Sequence, residues 1–275
     1  MMDGLRARAI IGLAGAALIS LAARKVRALS PSGAVAATAV GASIVSGSGF
    51  RGGAMVVAFF VSSTLLGRLP TTVRLEQRRG RERDAVQVIA NGGVAAVMAL
   101  ASMVTRERTH SLLITGFGGA VAAATADTWA TEIGSRSRTR PRSIVTWRQS
   151  APGASGGVTL VGLIASAVGA ALIAGLASTP FTSTSRQASR QVIPIVLGGF
   201  TGALVDSILG ATVQEVRFCD ACVVETEERV HRCGAQTRKT RGAPWCDNDT
   251  VNALATAAGA TTSILVQLAP SIRGR

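Results

Sequence analysis

Tyrosine is absent from the 275 residues, and Phe, Trp and Tyr together make up 4% of the chain. The basic residues sit between apolar runs and have no aromatic platforms interleaved with them, which argues against nucleic acid as a partner despite a net charge of +14. No Walker-type glycine loop, nucleophilic triad or heptad array occurs. Of the two histidines, His110 sits in a short polar connection where solvent or interface accounts for it. The four cysteines all fall between residues 219 and 246, so any metal or thiol chemistry is confined to one stretch. The first apolar run, about residues 9 to 23, lacks a clean cleavage site and reads as a retained span.

What the chain does have is apolar and small side chains: 48% hydrophobic residues and 31 glycines, with a mean hydropathy of +0.37. That composition predicts an all-α, polytopic integral membrane domain occupying residues 1 to 275. Eight apolar segments are expected, near 9–23, 33–49, 53–67, 86–104, 111–134, 157–177, 192–213 and 251–269. The second and third are short and separated only by residues 49–52, so a re-entrant hairpin, and seven spans, is the alternative. One set of alternate loops carries 20 Lys and Arg, the other 9. Basic loops stay on the cytoplasmic side, which places loops 24–27, 68–83, 136–148 and 217–241 there.

Polar residues then gather at that face. Asp127, Thr131, Thr128 and Glu132 close the fifth segment, at about 0, 40, 100 and 140° around a helix. A carboxylate near membrane depth is costly unless paired, hydrated or bound to a cation, so these are functional candidates. Gly116, Ala120 and Ala124 lie upstream at four-residue spacing and permit close helix approach. Asp84, Gln87 and Asn91 open the fourth segment, Asp206 and Ser207 lie near the end of the seventh, and Asp249 and Asn252 open the eighth. Asp84, Asn91 and Asn252 read as supporting residues.

The run Pro152-Gly153-Ala154-Ser155-Gly156-Gly157 leads into the sixth segment. Flexible backbone N–H groups at a helix entrance suit phosphate, and Arg142 and Arg148 of the same loop are expected to neutralise its charge. Hard carboxylate oxygens completed by phosphate and water suit Mg²⁺, with Asp127, Asp206 and Asp249 as the expected ligands. Trp129 and Trp147 are expected to be interfacial anchors, and Arg78, Arg79 and Arg81 serve topology or lipid phosphates.

Residues 215–250 read as a soluble insertion holding Cys219, Cys222, His231, Cys233 and Cys246. Cys219, Cys222, Cys233 and either His231 or Cys246 complete a tetrahedral zinc set. Such a zinc would be structural, ordering the loop that delivers Asp249.

Several ordered blocks carry a family likeness: Arg83 to Val88, Ala90 to Gly93, Ala126 to Gly134, Pro141-Arg142, Pro152 to Val158, Gly198 to Gly202, Asp206 to Thr212 with Gln214, and Asp247 to Asn252. Together they resemble the transmembrane-protein-19-like family, which includes the plant phytyl-phosphate kinase. The resemblance implies a kinase using a nucleoside triphosphate, CTP, on an isoprenyl monophosphate at the lipid membrane. Under that reading Asp127, Glu132 and Asp206 are catalytic, and Arg142, Arg148 and the Pro152–Gly157 loop hold the nucleotide. A fainter similarity, through Asp127, Ala130, Gly134, Pro152 and Gly156, is to CTP-dependent cytidylyltransferases of phospholipid synthesis, whose loop lysine is missing here. An ion-coupled transporter is the alternative from another class.

Overall fold

The computed structural model describes residues 2–69, 82–179 and 185–269; Arg78, Arg79 and Arg81 lie outside them. Seven helices are described: α1 (Met2–Lys25), α2 (Pro31–Arg68), α3 (Ala85–Ser102), α4 (Glu107–Gly134), α5 (Leu160–Ala177), α6 (Ser185–Thr212) and α7 (Asn248–Leu268). Six are long and apolar enough to cross a membrane. Large apolar side chains such as Leu18, Val35 and Val97 stand exposed on their outer surfaces, as a lipid solvent permits.

The exception on hydropathy is α4, and it is the helix the others surround. Every residue from Thr115 to Ala126 is buried. A helix sheathed in protein needs no lipid-compatible face. Small side chains serve it better, because van der Waals packing and close backbone approach hold membrane helices together. A Cβ added at Gly119 would fall 2.0 Å from Ser263 Oγ, and one at Gly118 2.6 Å from Ile195 Cδ1. The expected stripe at Gly116, Ala120 and Ala124 is thus part of a helical segment, 115–126, buried on all sides.

The expected second and third segments form one element, α2, interrupted at Gly49, whose φ of 69° and ψ of −170° leave the helical region. A residue without Cβ adopts that conformation readily. The two limbs then fold back on each other: a Cβ at Gly53 would lie 2.9 Å from Val45, and Phe60 packs against the cluster of Ala28, Leu29 and Ala34. Gly49 therefore turns a helical hairpin whose ends, near Ser30 and Arg68, lie on the basic side.

That side is also where the non-helical structure collects. Segment 28–30 pairs with Arg83 through Ser30 N to Arg83 O at 3.0 Å and Arg83 N to Ala28 O at 3.0 Å. A two-stranded ladder, β1 (Arg142–Ser143) with β2 (Gly157–Val158), closes the loop between α4 and α5. Between α6 and α7, strands β3 (Val216–Cys219), β4 (Val224–Thr226) and β5 (Arg238–Arg241) form an antiparallel sheet in the order β4-β3-β5. The expected soluble insertion is therefore a small sheet docked on the bundle's basic end. Gly242 makes the docking close, since a Cβ there would meet Gln214 O at 1.9 Å.

Candidate functional site: a carboxylate-lined cleft at the basic face

A cleft of about 1020 Å³ opens among these loops. From α4 it is lined by Asp127, Thr131 and Glu132; from α6 by Asp206 and Ser207; and from the loop before α5 by the whole run from Pro152 to Gly157. The carboxylates of Asp127 and Asp206 lie within hydrogen-bonding reach of each other. Asp206 Oδ2 is buried and receives no hydrogen bond. Two adjoining carboxylates, one with an unsatisfied buried oxygen, are chemically incomplete as they stand. A divalent cation with hard-oxygen preference fits them, and two carboxylates completed by water and phosphate is a habitual Mg²⁺ set.

Glycine shapes the wall opposite. Gly156 has φ of +80°, and a Cβ there would fall 2.5 Å from Ala211 N, so the loop can lie against the end of α6 only without a side chain. The run then lines the cleft across from Asp127 and beside Asp206, with the N–H groups of Ala154 and Gly157 donating within the loop to Ala151 O and Ala154 O at 3.1 and 3.0 Å. The loop is tied down from the sheet side by Arg241, whose guanidinium donates to Ser155 O at 3.3 Å.

The cationic lining comes from residues other than those expected. Arg142 and Arg148 lie on the outer part of the loop, where Arg142 donates to Trp147 O at 2.9 Å; neither lines the cleft. Arg138 and Arg140 do, together with Arg27, Arg68, Arg83 and Arg232. Arg83 is held over the rings of Phe60 and Phe59, 5.6 and 5.9 Å from their centroids. Burial pulls its guanidinium below its ordinary pKa, which the charge of Glu132 opposes. Glu132 itself is paired with Arg136 at 3.5 Å.

The remaining expected residues separate into two groups. Asp84 is the N-cap of α3, accepting from Gln87 N at 3.0 Å while Gln87 Oε1 accepts from Asp84 N at 3.2 Å. Asn91, Asp249 and Asn252 line a second, apolar cavity in company with Asp127 and Thr128. Asp249 thus neighbours Asp127 without lining the cleft that Asp206 faces. The expected three-carboxylate magnesium set is not among the described groups of three metal-ligating side chains. Trp129 likewise departs from its expected anchoring role: its Nε1 donates to Ser62 Oγ at 3.1 Å, and its ring packs on Gly169.

Comparison with known proteins places this architecture. The family model described as integral membrane protein DUF92 matches residues 14–260. The chain belongs to the DUF92 family. Protein PGR of Arabidopsis thaliana is similar, 33% identical over 267 residues that cover 89% of this chain and 91% of that one. A membrane protein of Methanocaldococcus jannaschii is 29% identical over 203 residues, 70% of this chain and 78% of its own. No solved structure matches. As a DUF92 member, the protein is an integral, multi-pass membrane protein.

In this DUF92 chain the sheet between α6 and α7 carries a second site. Cys219, Cys222, His231 and Cys233 bring one ligand atom each to within 4.8 Å of one another, which leaves Cys246 outside and makes His231 the fourth member. Cys219 and Cys233 Sγ are 3.7 Å apart, and a tetrahedron with metal–sulfur bonds of about 2.3 Å has edges of about 3.8 Å. The set could bind a metal such as zinc. His231 Nδ1 lies 3.1 Å from Cys233 Sγ, and that hydrogen bond brings the Cys233 thiol down to about 6.

The element held by these ligands runs on into α7, whose Asp249 lines the second cavity and not the cleft. Glu227, Glu228 and Arg232 of the element line the cleft instead, with Glu227 Oε1 accepting from Gln214 Nε2 at 2.6 Å. None of the three stood out in the sequence, although Arg232 lies between two expected metal ligands. Arg83 and Gln87 were also legible only as a loop charge and a helix-opening amide. Phe59 and Phe60, a paired ring platform 23 residues upstream, were the signal for Arg83.

Proposed function

We propose that this protein is a membrane-embedded, Mg²⁺-dependent phosphotransferase that uses a nucleoside triphosphate, CTP, to phosphorylate an isoprenyl monophosphate. The observation that carries the reading is the meeting of Asp127 and Asp206 in a cleft also lined by a glycine-rich loop. The resemblance to the family that includes phytyl-phosphate kinase supplies the substrate class. Magnesium bound by the two aspartates would neutralise polyphosphate oxygens and stabilise charge on the transferred group.

The chain's own residues do the positioning. The Gly153–Gly157 backbone cradles the nucleotide phosphates, and Arg138, Arg140 and Arg232 balance their charge from the cleft wall. Arg83 and Gln87 hold the acceptor phosphate on the opposite side. An oxygen of that phosphate forms a bond to the γ-phosphorus, the bond from γ-phosphorus to the β,γ-bridging oxygen breaks, and the nucleoside diphosphate leaves. An ionised acceptor has no proton to lose, so no general base is required. In-line placement and a preorganised field account for most of catalysis in such transfers.

The test is transfer of labelled γ-phosphate from CTP or ATP to phytyl and geranylgeranyl monophosphates by the purified protein. Mg²⁺-dependent diphosphate formation is expected. A protein that binds nucleotide yet transfers to no prenyl phosphate overturns the reading in favour of cytidylyl transfer, and absence of nucleotide binding overturns it in favour of transport.

A further inference from the structure

The second cavity, of about 500 Å³, changes character along its length. One end is polar: Arg83, Gln87, Asp127 and Asn248 line both it and the cleft, so the two spaces share a boundary. Away from that boundary its walls come from α1 and the α2 hairpin and are apolar, among them Ile11, Ile19, Val40, Ile44 and Phe50. The far end is placed by Gly12, where a Cβ would lie 2.9 Å from Val45, close to the Gly49 turn. Ile11, Ile19 and Phe50 are 54%, 45% and 61% exposed, so the cavity opens sideways onto the surface that faces lipid.

We propose that this cavity is the binding site for the hydrocarbon chain of a single-chain lipid monophosphate, its phosphate at the Arg83–Gln87–Asp127 boundary and its tail running toward Phe50. The identity of the head group rests on the phosphotransfer reading above; the tail site rests on the cavity. A methylene takes about the room of a water, about 30 Å³, so the space holds roughly 17 chain carbons. A C15 chain fits within that volume, a C20 chain extends its last few carbons through the lateral opening, and the two chains of a diacyl lipid do not fit. The polar end discriminates as well, because the half-buried guanidinium of Arg83 and the amide of Gln87 leave a chain without an anionic head poorly matched.

Gly15 offers a clean probe. It lines the cavity, and a Cβ added there meets nothing within 4 Å. Leucine at this helical position therefore starts from an open Cβ and extends into cavity space. It stands eight residues, about 12 Å along the helix axis, from Ala23 near the polar end, so the deep part is closed and the near part stays open. Gly175 on α5 also has open space around an added Cβ and lies outside the cavity, which makes Gly175→Leu the matched control.

The experiment is equilibrium binding of radiolabelled geranyl (C10) and geranylgeranyl (C20) monophosphates to full-length protein in nanodiscs, with thermal stability followed in each variant. Gly15→Leu is expected to weaken C20 binding at least tenfold and C10 binding less than twofold, while Gly175→Leu keeps the wild-type profile. Equal loss of both ligands, an unchanged profile, or no saturable C20 binding by the wild type overturns the proposal. Phosphate transfer from CTP is measured on the same samples. A shifted binding profile without transfer by the wild type sustains the cavity assignment and removes the phosphotransferase reading; transfer with an unshifted profile does the reverse.

Discussion

Arg241, on the last strand of the Cys-rich sheet, donates to the carbonyl of Ser155 in the glycine-rich loop at 3.3 Å. The sheet and the loop are thereby joined across 86 residues of sequence, and what orders one bears on the other. The sheet has little core of its own. Its fully buried side chains include Val216, Cys219 and Thr226, too few to hold a free-standing domain of this size without a staple.

Metal is therefore expected to hold that sheet. Elemental analysis of the purified protein should find about one zinc per chain. Cys219→Ser and His231→Asn should lose it and Cys246→Ser should keep it, because Cys246 stands outside the ligand group. Chelation should also weaken nucleotide binding, since Glu227, Glu228 and Arg232 line the cleft from the same element. Equal zinc content in wild type and Cys219→Ser would refute the assignment.

The Asp127–Asp206 pair yields a different expectation. Replacing either aspartate with asparagine removes a charge without removing the side chain's volume. Each variant should fold, and each should lose Mg²⁺-dependent transfer by about 100-fold or more, the size of effect seen when one preorganised electrostatic contact is removed from a site of this kind. Retention of transfer in both would place the chemistry elsewhere.

Gly156 should tolerate no side chain. Its φ of +80° and the 2.5 Å approach to Ala211 N both penalise alanine, at a cost of about 1–3 kcal/mol from the backbone conformation alone. Gly156→Ala should raise the apparent nucleotide KM, with smaller effect on the melting temperature than an equivalent lesion in α4, because the loop is peripheral to the helical core. A wild-type KM in this variant would show that the loop does not touch nucleotide.

Asp84 separates capping from catalysis. Its carboxylate accepts from Gln87 N at 3.0 Å in a capping box, so Asp84→Ala should lower stability by about 0.5–2 kcal/mol. Asp84→Asn, which keeps an acceptor, should recover most of that. Transfer per folded molecule should remain near wild type in Asp84→Asn; a large fall there would assign this carboxylate a role beyond the cap.

The helical segments were legible because a bilayer demands long apolar runs and internally bonded backbone. Composition also located the basic face and the turn at residues 49–52. Hydropathy even included α4, whose mean polarity excludes it from the six lipid-compatible helices, because its Gly/Ala run reads as apolar whether lipid or protein surrounds it. What surrounds a helix is not written in its own sequence.

The site divides in the same way. Asp127, Asp206, the Pro152–Gly157 run and three of the four metal-cluster members were determined by residue type and spacing, since carboxylates, glycine runs and Cys-x-x-Cys stand out locally against an apolar chain. Tertiary structure alone decided that Asp127 meets Asp206 while Asp249 turns to the apolar cavity. It also decided that Arg138 and Arg140 reach the cleft while Arg142 and Arg148 stay on the rim, and that His231 completes the cluster in place of Cys246. The physical reason is common to all three. A side chain's partner is set by which helices pack, by the β1–β2 ladder and by the β4-β3-β5 sheet that holds the cysteines, and those depend on contacts between residues distant in the chain.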